Sequence, residues 1–202
     1  MAINNVSTFL GRIGQGVKPN MFLVDVKFPD TLDKTSEQEL INVMCKSAAL
    51  PGSNLGVIEV PFRGRTVKIA GDRTFDTWTA TFFNDKDFKL RSFFEQWANS
   101  INTHDDNTAP LFRPSNDGYM ASLFVKQLEK DASAEGAILR TYQLHHCFPT
   151  NVSPIDLAYD SNDQIEEFTV EWQYSFVTAE ANSGGSSIPG SQREGVSPLI
   201  VD

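Results

Sequence analysis

Apolar and polar residues alternate along several short segments, a pattern typical of β-strands with one buried face. The clearest segment is 165–177, where every second residue from Phe168 to Phe176 is apolar or aromatic. The same kind of pattern predicts strands over residues 21–28, 40–45, 77–83, 119–128 and 137–148. Ser36 to Glu39 is predicted as a turn or a short helix.

A hairpin is predicted over residues 57–62 and 65–69, with Arg63-Gly64 as its turn. Glycine supplies the positive φ angle that tight hairpin turns require. Pro61 has no backbone N–H, so its strand is expected to be an edge strand or to carry a bulge.

Two more turns follow from local chemistry. Leu50-Pro51-Gly52 combines a fixed φ with a residue that tolerates positive φ, which is typical of a turn. Gly71-Asp72-Arg73 is expected to be a tight turn locked by its charged pair, placed between the hairpin and the strand at 77–83.

One helix is predicted over residues 84–101. Its apolar residues recur at helical spacing and form one stripe: Leu90, Phe93, Phe94, Trp97 and Ile101. Asn84 is the expected N-cap, and Asp85 and Asp87 suit the first turn. Each buried side chain of this stripe contributes about 1.5–3 kcal/mol, so the helix is expected to dock on a sheet.

These elements predict one mostly antiparallel β domain, a sandwich or barrel with a single packed helix. Residues 1–17 are predicted to be a flexible N-terminal arm, because they are small, polar and rich in glycine. Residues 18–177 form the predicted β domain, with a long loop at 102–118. After Pro149-Thr150-Asn151, Ser161-Asn162-Asp163 is a further predicted turn. Residues 178–202 form an extension rich in Gly, Ser and Pro, which we expect neighbouring subunits to order.

The charge balance limits the partners of the chain. There are 17 Lys and Arg against 26 Asp and Glu, a formal net charge of −9. A protein that reads nucleic acid needs a basic surface for the phosphates, so this class is disfavoured. A surface past which DNA slides without adhering is compatible with the balance. The N-terminal residues do not resemble a signal peptide, and no apolar run reaches the length of a membrane span. We therefore expect folding in a cytoplasm and no membrane partner.

Candidate chemistry is sparse along the chain. Cys45 and Cys147 are expected to be buried free thiols. His145 and His146 are neighbours in a predicted strand, so they should point to opposite faces and not share a metal site. The segment from Asp160 resembles a calcium loop but has Ile165 at its sixth position, where such a loop needs glycine. With no nucleophile or phosphate-loop motif, the chain is expected to be neither an enzyme nor a cofactor or metal protein.

Open strand edges are the remaining positive feature. Free proteins normally protect long strands at a sheet edge. Edges left open here are expected to pair between subunits, and a ring of subunits that closes would remove them. Head-to-tail stacking of such rings would give a tube.

Several segments resemble the inner tail tube protein of long contractile-tailed phages. They are Cys45–Pro51, Ala70–Phe75, Trp78-Thr79 with Asn84-Asp85, Phe148–Val152, and Tyr159–Asp163. The resemblance extends from about Lys18 to Val177. It implies a β-sandwich or barrel with one helix, assembled as hexameric rings whose inner strands form a continuous barrel around a lumen.

The resemblance also implies the partners and the location. The rings stack into a tube inside a contractile sheath, start on a baseplate and end at a tail terminator. A tape-measure protein sets the length, and the genome passes through the lumen without sequence-specific binding. The expected location is the tail of a virion assembled in a host cytoplasm. Turn and loop residues are expected at the subunit interface, with Asp72 and Arg73 bridging two subunits. The predicted interface comprises Leu50, Pro51, Arg63, Arg65, Gly71, Asp72, Arg73, Asn151, Asp160 and Asn162.

Two alternatives remain open from the sequence. The same domain serves as the inner tube of bacterial contractile injection and type VI secretion systems, where the cargo is protein. A monomeric β-sandwich that binds a carbohydrate or other ligand would instead need a pocket or an exposed aromatic platform. Ring formation separates the tube interpretations from this last one.

Overall fold

The computed structural model describes residues 6–14, 16–29, 32, 35–109, 118–129 and 138–181. The helices in these ranges are α1 (Val6–Ile13), α2 (Thr35–Met44) and α3 (Lys89–Ile101). The strands are β1 (Phe22–Lys27), β2 (Cys45–Ala48), β3 (Asn54–Phe62), β4 (Arg65–Thr74), β5 (Trp78–Phe83), β6 (Ala121–Leu128), β7 (Ile138–Val152), β8 (Glu167–Gln173) and β9 (Phe176–Ala181).

Strand β7 belongs to two antiparallel sheets. In its first part, Leu144 pairs with Leu123 of β6 on one side and Val177 of β9 on the other. In its last part, Phe148 to Val152 pair with β8. One layer therefore has the order β1-β6-β7-β9 and the other β7-β8-β5-β2. Since β7 joins the two, the layers form an open sandwich rather than a closed barrel.

A bulge marks the point where β7 passes from one sheet to the other. His145 and His146 together oppose the single residue Ser122 of β6, because Leu123 pairs with Leu144 and Ala121 with Cys147. His146 has a φ of 56°, in the left-handed region. Such an extra residue bends a strand and increases its twist, which suits a change of sheet.

An aromatic core joins α3 to the sheets. The side chains of Leu90, Phe93, Phe94 and Trp97 are buried. The ring of Phe94 lies 5.5 Å from Phe82, 5.7 Å from Trp172 and 6.3 Å from Phe168, measured between centroids. The predicted apolar stripe and the predicted fold class, a mostly β sandwich with this helix packed on it, are therefore confirmed.

The predicted beginning of the helix is wrong. Helix α3 begins at Lys89, and its N-cap is Phe88 with a φ of 56°. The Asp85 carboxylate performs the capping, accepting hydrogen bonds from the backbone N–H of Lys89 and Leu90 at 3.1 Å each. Asn84 instead donates its side-chain amide to Glu166 at 2.9 Å.

The prediction of a strand at 40–45 is wrong, because these residues are mostly the end of α2. The buried side chain of Ile41 and the partly buried Met44 lie three residues apart, which places them on one helix face. Strand β2 begins only at Cys45. A short apolar run fits either element, and here the helix packs against the core.

The predicted strand at 165–177 is two strands. Tyr174 and Ser175 separate β8 from β9, and the backbone N–H of Ser175 donates to the carbonyl of His145 at 3.0 Å. The chain there leaves one sheet and enters the other. The predicted strand over residues 137–148 also ends too early, because Pro149-Thr150-Asn151 lie inside β7.

The N-terminal arm was not predicted to contain a helix, yet α1 covers eight of its residues. At the other end, Thr178–Ala181 are part of β9 rather than of the extension. Residues 110–117 of the predicted long loop and 182–202 of the extension lie outside the described residues. The three-part domain division stays a prediction.

We expect Phe94→Ala to destabilise the fold by about 3–5 kcal/mol, because it removes a fully buried ring from the aromatic core. Phe88→Ala is the matched control, since that ring is 46% exposed. Denaturant unfolding at one fixed protein concentration measures both. Equal losses of unfolding free energy in the two variants would contradict the assignment of the core.

Candidate assembly interface

Strands β3 and β4 form a separate two-stranded sheet, closed by the predicted Arg63-Gly64 turn. The φ angles of these two residues are 46° and 78°, as a tight hairpin turn requires. Every residue of both strands is exposed except Gly71, which is half-buried. A lone hairpin is marginally stable in water, so the folded body or another chain must support this one.

One face of the hairpin is apolar. Ile58 pairs directly with Ile69, and Val60 with Val67, so these side chains share a face with Phe62. The apolar face is therefore Ile58, Val60, Phe62, Val67 and Ile69, with exposed fractions of 53%, 42%, 61%, 49% and 52%. Contiguous exposed apolar side chains of this kind mark an interaction surface.

The opposite face of the hairpin is mixed. It carries an ion pair in which the Lys68 ammonium lies 3.6 Å from the Glu59 carboxylate. Next to this pair, Pro61 lies opposite Thr66. The opposite face also exposes Val57, so the hairpin is more apolar on one side than on the other.

A bulge lies near the base of the hairpin. Gly71 and Asp72 of β4 oppose Gly56 of β3, since the register shifts between Leu55 and Val57. A Cβ atom at Gly71 would lie 3.1 Å from the carbonyl carbon and oxygen of Gly56. A side chain at this position would push the two backbones apart by a few tenths of an ångström, so glycine suits the bulge.

Hydrogen bonds fix the base of the hairpin to the chain beside it. The Arg73 guanidinium donates to the Ser53 hydroxyl at 2.9 Å. The Asn54 amide donates to the Asp76 carboxylate at 2.6 Å. Each of these bonds joins a residue near the start of β3 to a residue at or just after the end of β4.

Aromatic residues attach the same base to the folded body. The Trp78 indole N–H donates to the carbonyl of Ala49 at 2.6 Å. The Tyr174 hydroxyl donates to the carbonyl of Gly52 at 3.3 Å, and its ring lies 5.5 Å from that of Phe75. The direction in which the hairpin leaves the body is therefore set by contacts of the segments just before β3 and just after β4.

The prediction of a tight turn at Gly71-Asp72-Arg73 is wrong, because these residues lie inside β4. Among the described residues, Asp72 and Arg73 form no ion pair with each other. Gly71 lets the two backbones approach at the bulge, and Arg73 fixes the hairpin base through its hydrogen bond to Ser53.

The predicted interface residues fall in two regions. Five belong to the hairpin and two to the linker before it: Arg63, Arg65, Gly71, Asp72 and Arg73, then Leu50 and Pro51. Asn151 lies in β7, and Asp160 and Asn162 lie in the exposed β7–β8 connection. The turn predicted at 161–163 is present, with the N–H of Asn162 donating to the Asp160 carbonyl at 3.0 Å.

The two histidines are not on opposite faces, because the bulge interrupts the alternation of β7. Both rings contact Phe176, with centroid distances of 4.4 Å from His145 and 5.7 Å from His146. Burial, and to a smaller extent the neighbouring His146, lowers the pKa of His145. In the part of the chain that the structure describes, no group of His, Cys, Asp and Glu is placed to hold a metal ion.

Both cysteines are free thiols, as predicted. Cys147 is buried, but the predicted burial of Cys45 is wrong, because that residue is only half-buried. Burial raises the pKa of each to about 12. The reactive thiolate form of both groups is therefore scarce at neutral pH.

Comparison with known proteins shows the family of the chain. A family model described as phage tail tube protein matches residues 17–179. The chain belongs to the phage tail tube protein family. As a tail tube protein it is a structural component of the virion of a contractile-tailed phage. The predicted resemblance is thereby confirmed.

Curated relatives agree with this family. The tail tube protein gp19 of Enterobacteria phage T4 is 32% identical over 157 residues, covering 78% of this chain and 88% of the relative. The tail tube protein of Serratia phage KSP90 is 24% identical over 172 residues, covering 84% and 93%.

Solved structures share the fold of this tail tube protein. The tube-terminating cap of the anti-feeding prophage has a TM-score of 0.60 at 16% identity, over 90% of this chain and 99% of that one. The sheath–tube complex of an extracellular contractile injection system has a TM-score of 0.58 at 16% identity, over 88% and 99%. No helix among the described residues is long and apolar enough to cross a membrane.

Two features of the tail tube protein were not predicted. The apolar face was missed because it emerges only when the residues on the two sides of the Arg63-Gly64 turn are paired. Helix α1 precedes the matched region and exposes its apolar side chains: Val6, Phe9, Leu10 and Ile13. The i, i+3, i+4, i+7 spacing of these four residues is the signal that could have predicted it.

We expect Gly71→Ala to distort the hairpin base while leaving the folded body intact, because the added Cβ meets the Gly56 backbone outside the core. Limited proteolysis should cut β3 or β4 faster, with an unchanged melting temperature. Gly52→Ala is the control, since no atom lies within 4 Å of its added Cβ. Equal proteolysis of the two variants would contradict the role of the bulge.

We expect Cys147 to resist alkylation at about pH 8, because a raised pKa keeps the thiol protonated at any pH well below 12. Mass spectrometry should find no adduct on the native protein and full labelling after denaturation. Rapid labelling of the native protein would show that the thiol is accessible and ionised.

Proposed function

We propose that this chain builds the inner tube of the tail by forming hexameric rings that stack on one another, and that it has no catalytic role. The observation that carries the proposal is the apolar face of the hairpin. Its five side chains are 42–61% exposed, while the body of the same chain has a complete core. A second copy of the chain is the partner that a homopolymeric tube supplies.

Open strand edges support the same conclusion. The described strands β1 and β9 end one sheet, and β2 ends one side of the other. Their outer edges pair with no other described strand, and pairing between subunits would continue a sheet around a ring. The hairpin adds two further strands that pair with no described strand beyond each other.

The acidic balance supports passage of DNA through the tube. A net charge of −9 means that like charges repel a polyanion, so the genome would not adhere to the wall. A tape-measure protein that sets the length of the tube is a further proposed partner. The sheath, the baseplate and a terminator are the other proposed partners, since the fold is shared with chains from sheath–tube, baseplate and terminator assemblies.

The phage type is favoured over an injection system that carries protein. The sequence relatives described above are phage tail tube proteins, at 32% identity for that of phage T4 and 24% for that of phage KSP90. The injection-system chains share only the fold, at 14–18% identity. The predicted interface residues remain part of the proposal, because the hairpin and its linker hold seven of them.

Val67→Asp tests the apolar face. We expect it to abolish rings and tubes, because assembly would bury an unpaired carboxylate in an apolar contact. Electron microscopy and sedimentation of the purified protein measure assembly. The melting temperature should change little, since Val67 is 49% exposed in the subunit.

Thr66→Asp is the matched control. Thr66 is the preceding residue, is equally part of β4 and points to the opposite face of the hairpin. This variant should still assemble. A wild-type chain that stays monomeric at high concentration would overturn the proposed function, and normal tubes from Val67→Asp would overturn the role of the apolar face.

A further inference from the structure

The end of the hairpin is basic as well as apolar. We call Phe62, Arg63 and Arg65 the basic tip. The Arg63 guanidinium lies over the Phe62 ring, 5.3 Å from its centroid, and that ring is 61% exposed. Neither arginine forms an ion pair with any residue that the structure describes. The tip thus presents two free cations beside an exposed aromatic ring.

A groove with the opposite charge lies elsewhere on the same chain. The β7–β8 connection and Phe83 enclose a volume of about 760 Å³. We call this the acidic groove, and its lining includes Asp156, Leu157, Asp163, Ile165, Glu166 and Glu167. The whole stretch from residue 141 to residue 181 contains no Lys or Arg.

Two of the carboxylates in the groove are already engaged. Glu167 accepts from the Lys46 ammonium at 2.6 Å, and Glu166 accepts from Asn84. Asp156 and Asp163 have no ion pair among the described residues. The groove therefore has two carboxylates available for cations.

The groove is apolar between its charges. Leu157 is 80% exposed and Ile165 is 68% exposed. A metal ion would satisfy the carboxylates but leave these side chains in water. A partner that supplies an aromatic ring together with two cations satisfies both, and the basic tip has this composition.

We propose that the basic tip of one subunit docks in the acidic groove of a neighbouring copy. The proposal rests on the proposed function, since it names the contact through which subunits of the tube recognise each other. Phe62 would cover Leu157 and Ile165, and the arginines would pair with Asp156 and Asp163. Tip and groove are both exposed in the single chain, so the contact forms between two chains.

This contact is heterologous, because each subunit offers its tip to one neighbour and its groove to another. Such a contact repeats without a limit on the number of subunits unless a ring closes. It also gives the assembly a direction, because a tip cannot bind a tip. Charged pairs of this kind fix register and exclude wrong partners more than they add affinity.

Charge reversal on each side, followed by mixing, tests the pairing. The tip variant carries Arg63→Glu and Arg65→Glu, and the groove variant carries Asp156→Lys and Asp163→Lys. Each variant alone sets like charges against each other, so we expect its yield of sedimenting tubes to fall by at least about tenfold. A one-to-one mixture should recover tubes. The altered, acidic tip of the first variant can pair with the altered, basic groove of the second. The native tip of the second variant can pair with the native groove of the first.

Matched controls separate pairing from total charge. The first control is the double variant Lys86→Glu, Lys89→Glu, which changes the net charge by the same amount as the tip variant. The second is Asp87→Lys, Asp105→Lys, which changes it by the same amount as the groove variant. All four positions are exposed, and both controls should assemble. Melting temperatures of all the variants should stay close to that of the wild type, because no altered side chain is buried.

The outcomes distinguish this pairing from the proposed function. Wild-type tubes together with normal tubes from either variant alone would overturn the pairing and leave the tube function standing. Loss of assembly in both variants without recovery on mixing would also overturn it, and would assign one of the two surfaces to a different partner. Recovery on mixing the tip variant with the groove variant, while each control assembles on its own, supports the pairing.

Discussion

An apolar hairpin face that the described part of the chain leaves largely exposed is the constraint that links this fold to its proposed assembly. The five side chains of the face are 42–61% exposed among the described residues. A two-stranded ribbon of this kind is marginal without support. The chain supplies support at the base, through the Gly56–Gly71 bulge, the Arg73–Ser53 bond and the bond from Trp78 to Ala49. In the proposed tube, the cover comes from a neighbouring subunit.

Folding and assembly use different parts of the molecule. The sandwich has its own core, built where Phe94 of α3 meets Phe82, Phe168 and Trp172 of the sheets. The hairpin contributes no residue to this core. A subunit can therefore fold before it meets its neighbours, and changes to the exposed hairpin can alter assembly without unfolding the body. This separation suits a protein that is made as a subunit and functions as a polymer.

The sequence was most informative where one pattern had one structural solution. Five large apolar residues at helical spacing predicted α3, and Gly64 predicted the hairpin turn. Errors arose where a local feature fits two structures or where one residue shifts the register. The run at 40–45 suits helix or strand and became the end of α2. The bulge at His145-His146 places both imidazole rings against Phe176. The interruption at Tyr174-Ser175 divides one alternating segment into two strands, which lie in different sheets. The apolar face depends on strand pairing across the Arg63-Gly64 turn, and the acidic groove depends on the path of the β7–β8 connection. Neither feature follows from the local sequence pattern.

Hydrogen–deuterium exchange of residues 54–74, compared between dissociated subunits and assembled tubes, tests the central claim most directly. If a neighbour covers the apolar face, the backbone amides of β3 and β4 should exchange much more slowly in tubes than in subunits. Buried strands of the body, such as β8, should be protected in both. Tubes in which the hairpin exchanges as fast as it does in free subunits would contradict the account, because assembly would then leave that face in water.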